Sequence, residues 1–350
     1  MNGLITYSGI TTKIRAMESH FLTDDDFREL TALPDVPTVA ERLMRHPGYE
    51  KPLAAVSGQK LNREHIEQRL PDAVFYDFER IYHFADASLR SFLKHYARRY
   101  EVHFIKSILT RIAVLDKDDE NAIPAAVTDR KDFYDHFTCL DFTKLVEAST
   151  LDDVLAALED TPYRDTLRRV QNQGGAGIFR YETALDLFHF SAIWKEKDEL
   201  PDSSAKSLAL FYGTKFDLLN IWFIYRARTN FRMDTSGIYA LTIPVLYRLS
   251  KKDIMAMVEA PDGAAFADAV RNTWYGGRYP ALAPDNLQYM YTEIMREIIR
   301  AEARRNPYST AMPYYYLYWK EHEVYRLTSA IECVRYGIPP EEAFLRVTRR

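Results

Sequence analysis

Cysteine is nearly missing. Cys139 and Cys333 are the only two in 350 residues, and neither sits in a CxxC or a Cys/His spacing. The sequence therefore offers no disulfide framework and no thiolate metal site, and we expect two buried thiols in a reducing compartment. No basic stretch leads into an apolar run at the N-terminus, so no signal peptide is expected. Uninterrupted apolar runs stay well short of the about 20 residues that a membrane span takes. An excess of one charge is missing too. A net charge of −4 and a pI near 6.2 give no electrostatic reason to expect nucleic acid or an anionic membrane as the main partner.

Catalytic signatures are equally scarce. GGAG at 174–177 follows no strand and lacks a GKS or GKT continuation, so it reads as a linker rather than a phosphate cradle. The nine histidines are scattered and form no HExxH pattern, which leaves zinc without a ligand set. Glu182, Asp186 and His189 share one helical stretch, but the second Glu-x-x-His helix of a di-metal site is missing. A solvated or capping pair is the plainer reading, and no GxSxG nucleophile motif occurs. No catalytic residue, cofactor or metal site is expected.

What is present is helix. In 74–112 apolar residues fall at steps of three and four, through Phe75, Phe78, Tyr82, Leu89, Phe92, Tyr96, Ile108 and Ile112. Similar stripes run through 181–192, 287–298 and 324–334, while alternating strand patterns are nearly absent. Breaks rich in turn formers fall at 171–177, 201–204, 275–285 and 304–310. The fold class is all-α. At 47% hydrophobic residues the chain can bury sizeable cores, and its length suggests two or three folding units. The aromatic cluster MPYYYLYW (312–319) reads as core packing or a hairpin seam.

The helices repeat. TCLDFTKLVEA (138–148) matches SKKDIMAMVEA (250–260), and Thr161 and Tyr163 match Thr273 and Tyr275, all at an offset of 112 residues. A further copy begins at LTDDDF (22–27), 227 residues before its match, and the spacing drifts before Tyr49. Thr23, Thr138 and Ser250 each precede an aspartate by three residues: Asp26, Asp141 and Asp253. That spacing predicts three capped helix starts, a variant of the capping box with the acid near the positive end of the helix dipole.

A second element repeats as well. FDLLNIWFIYRAR (216–228) is apolar on nearly every side yet carries Asp217, Asn220, Arg226 and Arg228. Asp217, Glu101 and Glu323 are each followed by one apolar helical stripe, as expected of long helices packed in hairpins. Asp217 and Asn220 read as structural polar groups of those hairpins, together with Glu101 and Glu323. On an ideal helix Arg226 points nearly opposite Asp217, whereas Arg228 lies only about 20° from it on the wheel and about 16 Å along the axis. The two arginines therefore cannot serve one groove. We expect interface or lining residues from this pair, with one of them free to anchor a neighbouring helix.

The pattern suggests three related units: 61–172, 173–284, and one completed by 1–60 together with 285–350. The simplest closure is a ring-like, pseudo-threefold body.

These residues resemble a family. ITTKIRAMESHFLTDDDF is similar to the opening of the central-stalk C, or AC39, family of V-type and archaeal-type ATPases, whose eukaryotic form is the d subunit. KFDLLNIWFIYRAR resembles the family's FD-x-x-N-x-x-x-x-x-R-A helix, LYRLSKKDIMAMVEA the segment after it, and EVYRLTSAIECVRYGIPPEE the closing helix. The last departs from the pattern, with Arg326 where the family usually has Asn and Thr328 where it usually has Arg.

The resemblance implies a non-catalytic, funnel-shaped protein of three helical domains on the cytoplasmic face of the membrane. It would be a socket between the central-stalk shaft subunits and the membrane proteolipid rotor ring, transmitting torque for H⁺ or Na⁺ transport. It implies no cofactor, metal or nucleic acid. A free helical scaffold that binds a soluble protein through a concave surface is the alternative.

Overall fold

A computed structural model describes residues 2–54, 63–114, 130–174 and 177–348. Residues 175–176 of GGAG, the 60/61 boundary and the two terminal residues at 349–350 lie outside them. The described residues are helical or irregular, with no strand among them. The protein is all-α.

In chain order the helices used below are α1 (Asn2–Glu18), α2 (Asp24–Thr31), α3 (Val36–Met44), α4 (Asp72–Phe84) and α5 (Ala87–Val114). Then come α6 (Phe142–Glu147), α7 (Leu151–Ala157), α8 (Ile178–Glu196), α9 (Asp202–Thr229) and α10 (Thr235–Leu241). The chain continues through α11 (Lys251–Val258), α12 (Gly263–Arg271) and α13 (Trp274–Arg278), then α14 (Leu287–Arg305), α15 (Ala311–Arg335) and α16 (Pro340–Thr348). None of the described helices is long and apolar enough to cross a membrane.

Two compact units divide the chain. The first holds Met1–Leu93, Glu120–His136 and Asn306–Arg350, so the N- and C-terminal segments share it. The second holds Lys94–Asp119 and Phe137–Arg305, which places α14 there while α15 belongs to the first unit.

In the first unit α15 is the central element. Its start carries the aromatic cluster, of which Met312, Pro313, Tyr314, Tyr316 and Leu317 are buried. Pro313 is tolerated there because a first-turn N–H has no intrahelical acceptor. Tyr316 stacks on Phe21 at 5.0 Å and donates its hydroxyl to Asp77 of α4 at 2.6 Å, which gives its polar tip a buried partner. Arg326 lies 3.9 Å over the Phe27 ring and pairs with Asp24 in the first turn of α2.

In the second unit α9 plays the corresponding part. Phe211, Phe216, Ile221 and Ile224 are fully buried on different sides of this 28-residue helix. The reason is that α8, α11 and α14 pack around it. A helix enclosed by neighbours is apolar all round without spanning a bilayer, which accounts for the composition of 216–228. Against α14, the Ser207 hydroxyl donates to Glu302 at 2.6 Å.

Candidate functional site

One polar device occurs three times, each time fixing a short helix to a long one. Asp217 of α9 is fully buried and accepts from the backbone N–H groups of Tyr247 (3.0 Å), Arg248 (2.6 Å) and Leu249 (3.1 Å). Its fourth donor is the Tyr275 hydroxyl at 3.0 Å. Leu249 is the residue before the cap of α11, so this carboxylate satisfies donors that the helix start leaves unpaired. Two glycines permit the approach. A Cβ on Gly213 would lie 2.5 Å from Cγ of Tyr247, and one on Gly276 would lie 2.4 Å from the Val270 carbonyl oxygen. One turn beyond Asp217, the Asn220 amide donates to the Ile243 carbonyl at 3.1 Å and accepts from the Ile243 N–H at 2.7 Å.

Glu101 of α5 accepts from the Cys139 N–H at 3.1 Å and from the Tyr163 hydroxyl. Glu323 of α15 accepts from the Leu22 N–H at 2.6 Å and the Tyr49 hydroxyl at 2.5 Å. It also has a buried cation, with the Lys320 ammonium 2.9 Å away and 4.0 Å above the Tyr49 ring. Burial raises the carboxyls of Asp217 and Glu101 above their usual range, and the hydrogen bonds they accept pull each back down. Burial beside a carboxylate drives the Tyr49, Tyr163 and Tyr275 hydroxyls far up, so each stays a donor.

The caps follow the repeat in two copies. Thr23 and Ser250 each accept from the N–H of the aspartate three residues on, and Asp26 and Asp253 return the bond to the cap backbone. The copy at Thr138 differs. Its hydroxyl accepts from the Leu140 N–H at 3.3 Å, and Asp141 itself caps α6 by accepting from the Lys144 N–H at 3.1 Å. The expected Thr138 cap is therefore corrected to Asp141. The physical reason is a late start: α6 is only six residues long and begins after the aspartate rather than before it. The next helix of each copy is capped at matching places, Asp35 for α3, Thr150 for α7 and Asp262 for α12.

The two arginines of α9 have different surroundings. Arg228 donates to the carbonyls of Val258 (2.5 Å) and Ala260 at the end of α11, where a cation also suits the helix dipole. Arg111 does the same for α6, through Val146 at 3.0 Å and Ala148 at 2.6 Å. Arg226 instead lies against the rings of Trp222 (5.3 Å) and Phe231 (5.6 Å) and lines a half-open cleft of about 230 Å³.

The α8 side of the cleft includes Phe179, Glu182, Asp186 and Phe190, and Asp186 is paired with Lys106 at 2.8 Å. His189 is buried away from it, and burial lowers its pKa to about 3, so it is neutral at neutral pH. No group of three or more His, Cys, Asp or Glu residues suited to a metal occurs among the described residues.

Tyr163 and Tyr275 stand in the sequence as repeat positions without a role, and Tyr49 and Lys320 without any signal of one. For the tyrosines a signal is present: each repeated acid comes with a repeated tyrosine, and a buried carboxylate needs donors.

Long helices bound to short capped helices through buried acids define an all-α repeat protein whose recurrent polar groups hold backbone. The chain belongs to the ATP synthase (C/AC39) subunit family, whose model matches residues 10–343. It is 25% identical over 348 residues to the A-type ATP synthase C subunit of Pyrococcus horikoshii and 23% identical over 343 residues to that of Pyrococcus abyssi. Each of these matches covers 96% of this chain and 88% of the relative. The A-type ATP synthase C subunit of Methanosphaera stadtmanae is 23% identical over 273 residues, covering 77% of this chain and 66% of that relative.

Proposed function

We propose that this chain is a non-catalytic rotor component of a V/A-type rotary ATPase. It sits at the cytoplasmic face of the membrane, peripheral to it, as a socket between the central-stalk shaft and the proteolipid ring. Its work is mechanical, the transfer of torque that drives H⁺ or Na⁺ transport or is driven by it. The family match over nearly the whole chain carries this reading.

The buried knots support it physically. A part that bears load needs its elements joined by more than non-directional apolar contact. Glu101, Asp217 and Glu323 each join a short helix start to a long helix through directional hydrogen bonds in a dry setting. The same chemistry recurs at all three acids.

Purification of the tagged chain from membranes of its own organism tests the proposal. The catalytic head and the proteolipid ring should come with it, and deletion should abolish ATP-driven ion pumping. A chain recovered only with a soluble partner, with pumping intact after deletion, would replace this reading with the free scaffold.

A further inference from the structure

The Glu323 knot has a histidine against it. His46 lies just past the end of α3, and its Nδ1 accepts the Gly48 N–H at 3.2 Å. The neutral ring therefore keeps its proton on Nε2, and a second proton on Nδ1 breaks that bond. The imidazole is half-buried, with its ring 5.9 Å from that of Tyr49, whose hydroxyl donates to Glu323. Lys320 closes the group. A Cβ on Gly48 would lie 3.3 Å from both His46 Nδ1 and Lys320 Nζ, and 3.1 Å from the His20 carbonyl oxygen. Imidazole and ammonium thus border one space that glycine leaves open.

We propose that His46 is an acid-sensitive latch on this knot: protonation of its ring loosens the hold of α15 on the start of α2 and on the turn after α3. The charged groups acting on the ring are two acids and two bases from three helices. Glu323 of α15 and Asp26 of α2 favour a proton on it, while Lys320 of α15 and Arg42 of α3 oppose one. Neither acid is idle: Glu323 already serves Tyr49, Leu22 and Lys320, and Asp26 serves the cap of α2. Burial is the largest influence and holds the histidine below its ordinary value of 6.5.

Above pH 6.5 the ring is neutral whether the knot is closed or open, and the knot keeps its full strength. Below that value the open form takes up a proton that the closed form resists, so strength is lost as the pH falls toward the depressed value. The Asp217 knot has no such dependence among its donors, which are three backbone N–H groups and the Tyr275 hydroxyl. None of these titrates between about pH 5 and 8. The inference concerns the chain alone and stands apart from the rotary-ATPase reading.

Hydrogen exchange on the purified full-length chain tests it. From about pH 7.5 to 5.5 the protection of the Leu22 and Gly48 N–H groups should fall several-fold more than that of the Leu249 N–H at the Asp217 knot. His46→Asn puts an amide oxygen in place of Nδ1, able to accept from the N–H two residues on, and it does not titrate. This variant should match the wild type at the higher pH and lose the extra fall at the lower one. The histidine NMR signal that it removes should titrate below 6.5 in the wild type and move upward in Lys320→Met, which lacks the opposing ammonium. A His46 value at or above 6.5 overturns the proposal, as does an extra fall at Leu22 that persists in His46→Asn. Equal falls at Leu22 and Leu249 in the wild type, a comparison that needs no variant to fold, overturn it as well.

Discussion

Asp217 and Glu323 occupy matching places in two different units, yet they solve the problem of a buried acid differently. Asp217 has four donors, three of them backbone N–H groups, and all are neutral. Glu323, one methylene longer, has one backbone N–H, one tyrosine hydroxyl and the ammonium of a lysine that is only 1% exposed. Both acids serve the same need, the unpaired N–H before a capped helix. The backbone solution adds no second charge to the core. The lysine solution adds one, and the two ions then depend on each other.

The comparison breaks most sharply at Glu323. Glu323→Gln keeps an acceptor for the Leu22 N–H but strands the Lys320 charge, and should destabilise the protein by about 3–5 kcal/mol. Lys320→Met leaves Glu323 with two donors and should cost less, about 1–2 kcal/mol. The double variant should recover much of the Glu323→Gln loss, because removing both partners leaves no stranded ion. Urea midpoints of the four proteins measure this cycle. A Glu323→Gln loss below about 1 kcal/mol would mean that the ammonium does not depend on the carboxylate.

Asp217→Asn should cost about 2–3 kcal/mol, since one amide oxygen replaces a carboxylate that accepts four bonds and its NH₂ faces other donors. No counter-ion is stranded, so the loss should be smaller than at Glu323. A larger one, read from the same midpoints, would reverse the order of the two solutions. Gly213→Ala leaves the acid in place and attacks only its approach. Its Cβ would press on the Tyr247 ring and push the donating backbone away, at about 1–3 kcal/mol by the same measurement.

How much of this can be read from the sequence differs by interaction type. Helices, their polarity of wrapping and two of the three box caps follow from local spacing, because i, i+3 and i, i+4 relations are fixed by helix geometry. The same spacing puts the start of α6 three residues early, because Thr138 and Asp141 carry the right types. Nothing in sequence separates a cap from its third residue when the helix is short. Apart from the Lys320–Glu323 pair, the knots join residues 30 to 301 positions apart, such as Tyr247 to Asp217 and Leu22 to Glu323, so their partners emerge only on packing. The division of labour between Arg226 and Arg228 is readable as a difference of helix face. Which of them meets carbonyls depends on where α11 ends.

The third copy offers a readout that requires no unfolding. Cys139 is exposed as a residue, but its thiol sulfur lies 3.8 Å from the Glu101 carboxylate, and burial together with that carboxylate pushes its pKa up to about 12. Since the thiolate is the nucleophile, iodoacetamide at pH 8 should alkylate Cys139 much more slowly than an ordinary exposed cysteine. Glu101→Gln removes the negative charge and retains an acceptor for the Cys139 N–H, so it should raise the labelling rate by several-fold at unchanged pH. The matching substitution at Asp217, remote in sequence from any cysteine, should leave that rate where it was. If Asp217→Asn speeds Cys139 labelling as much as Glu101→Gln does, the two knots of the second unit open together, and each acid can no longer be treated as the local fastening of its own helix pair.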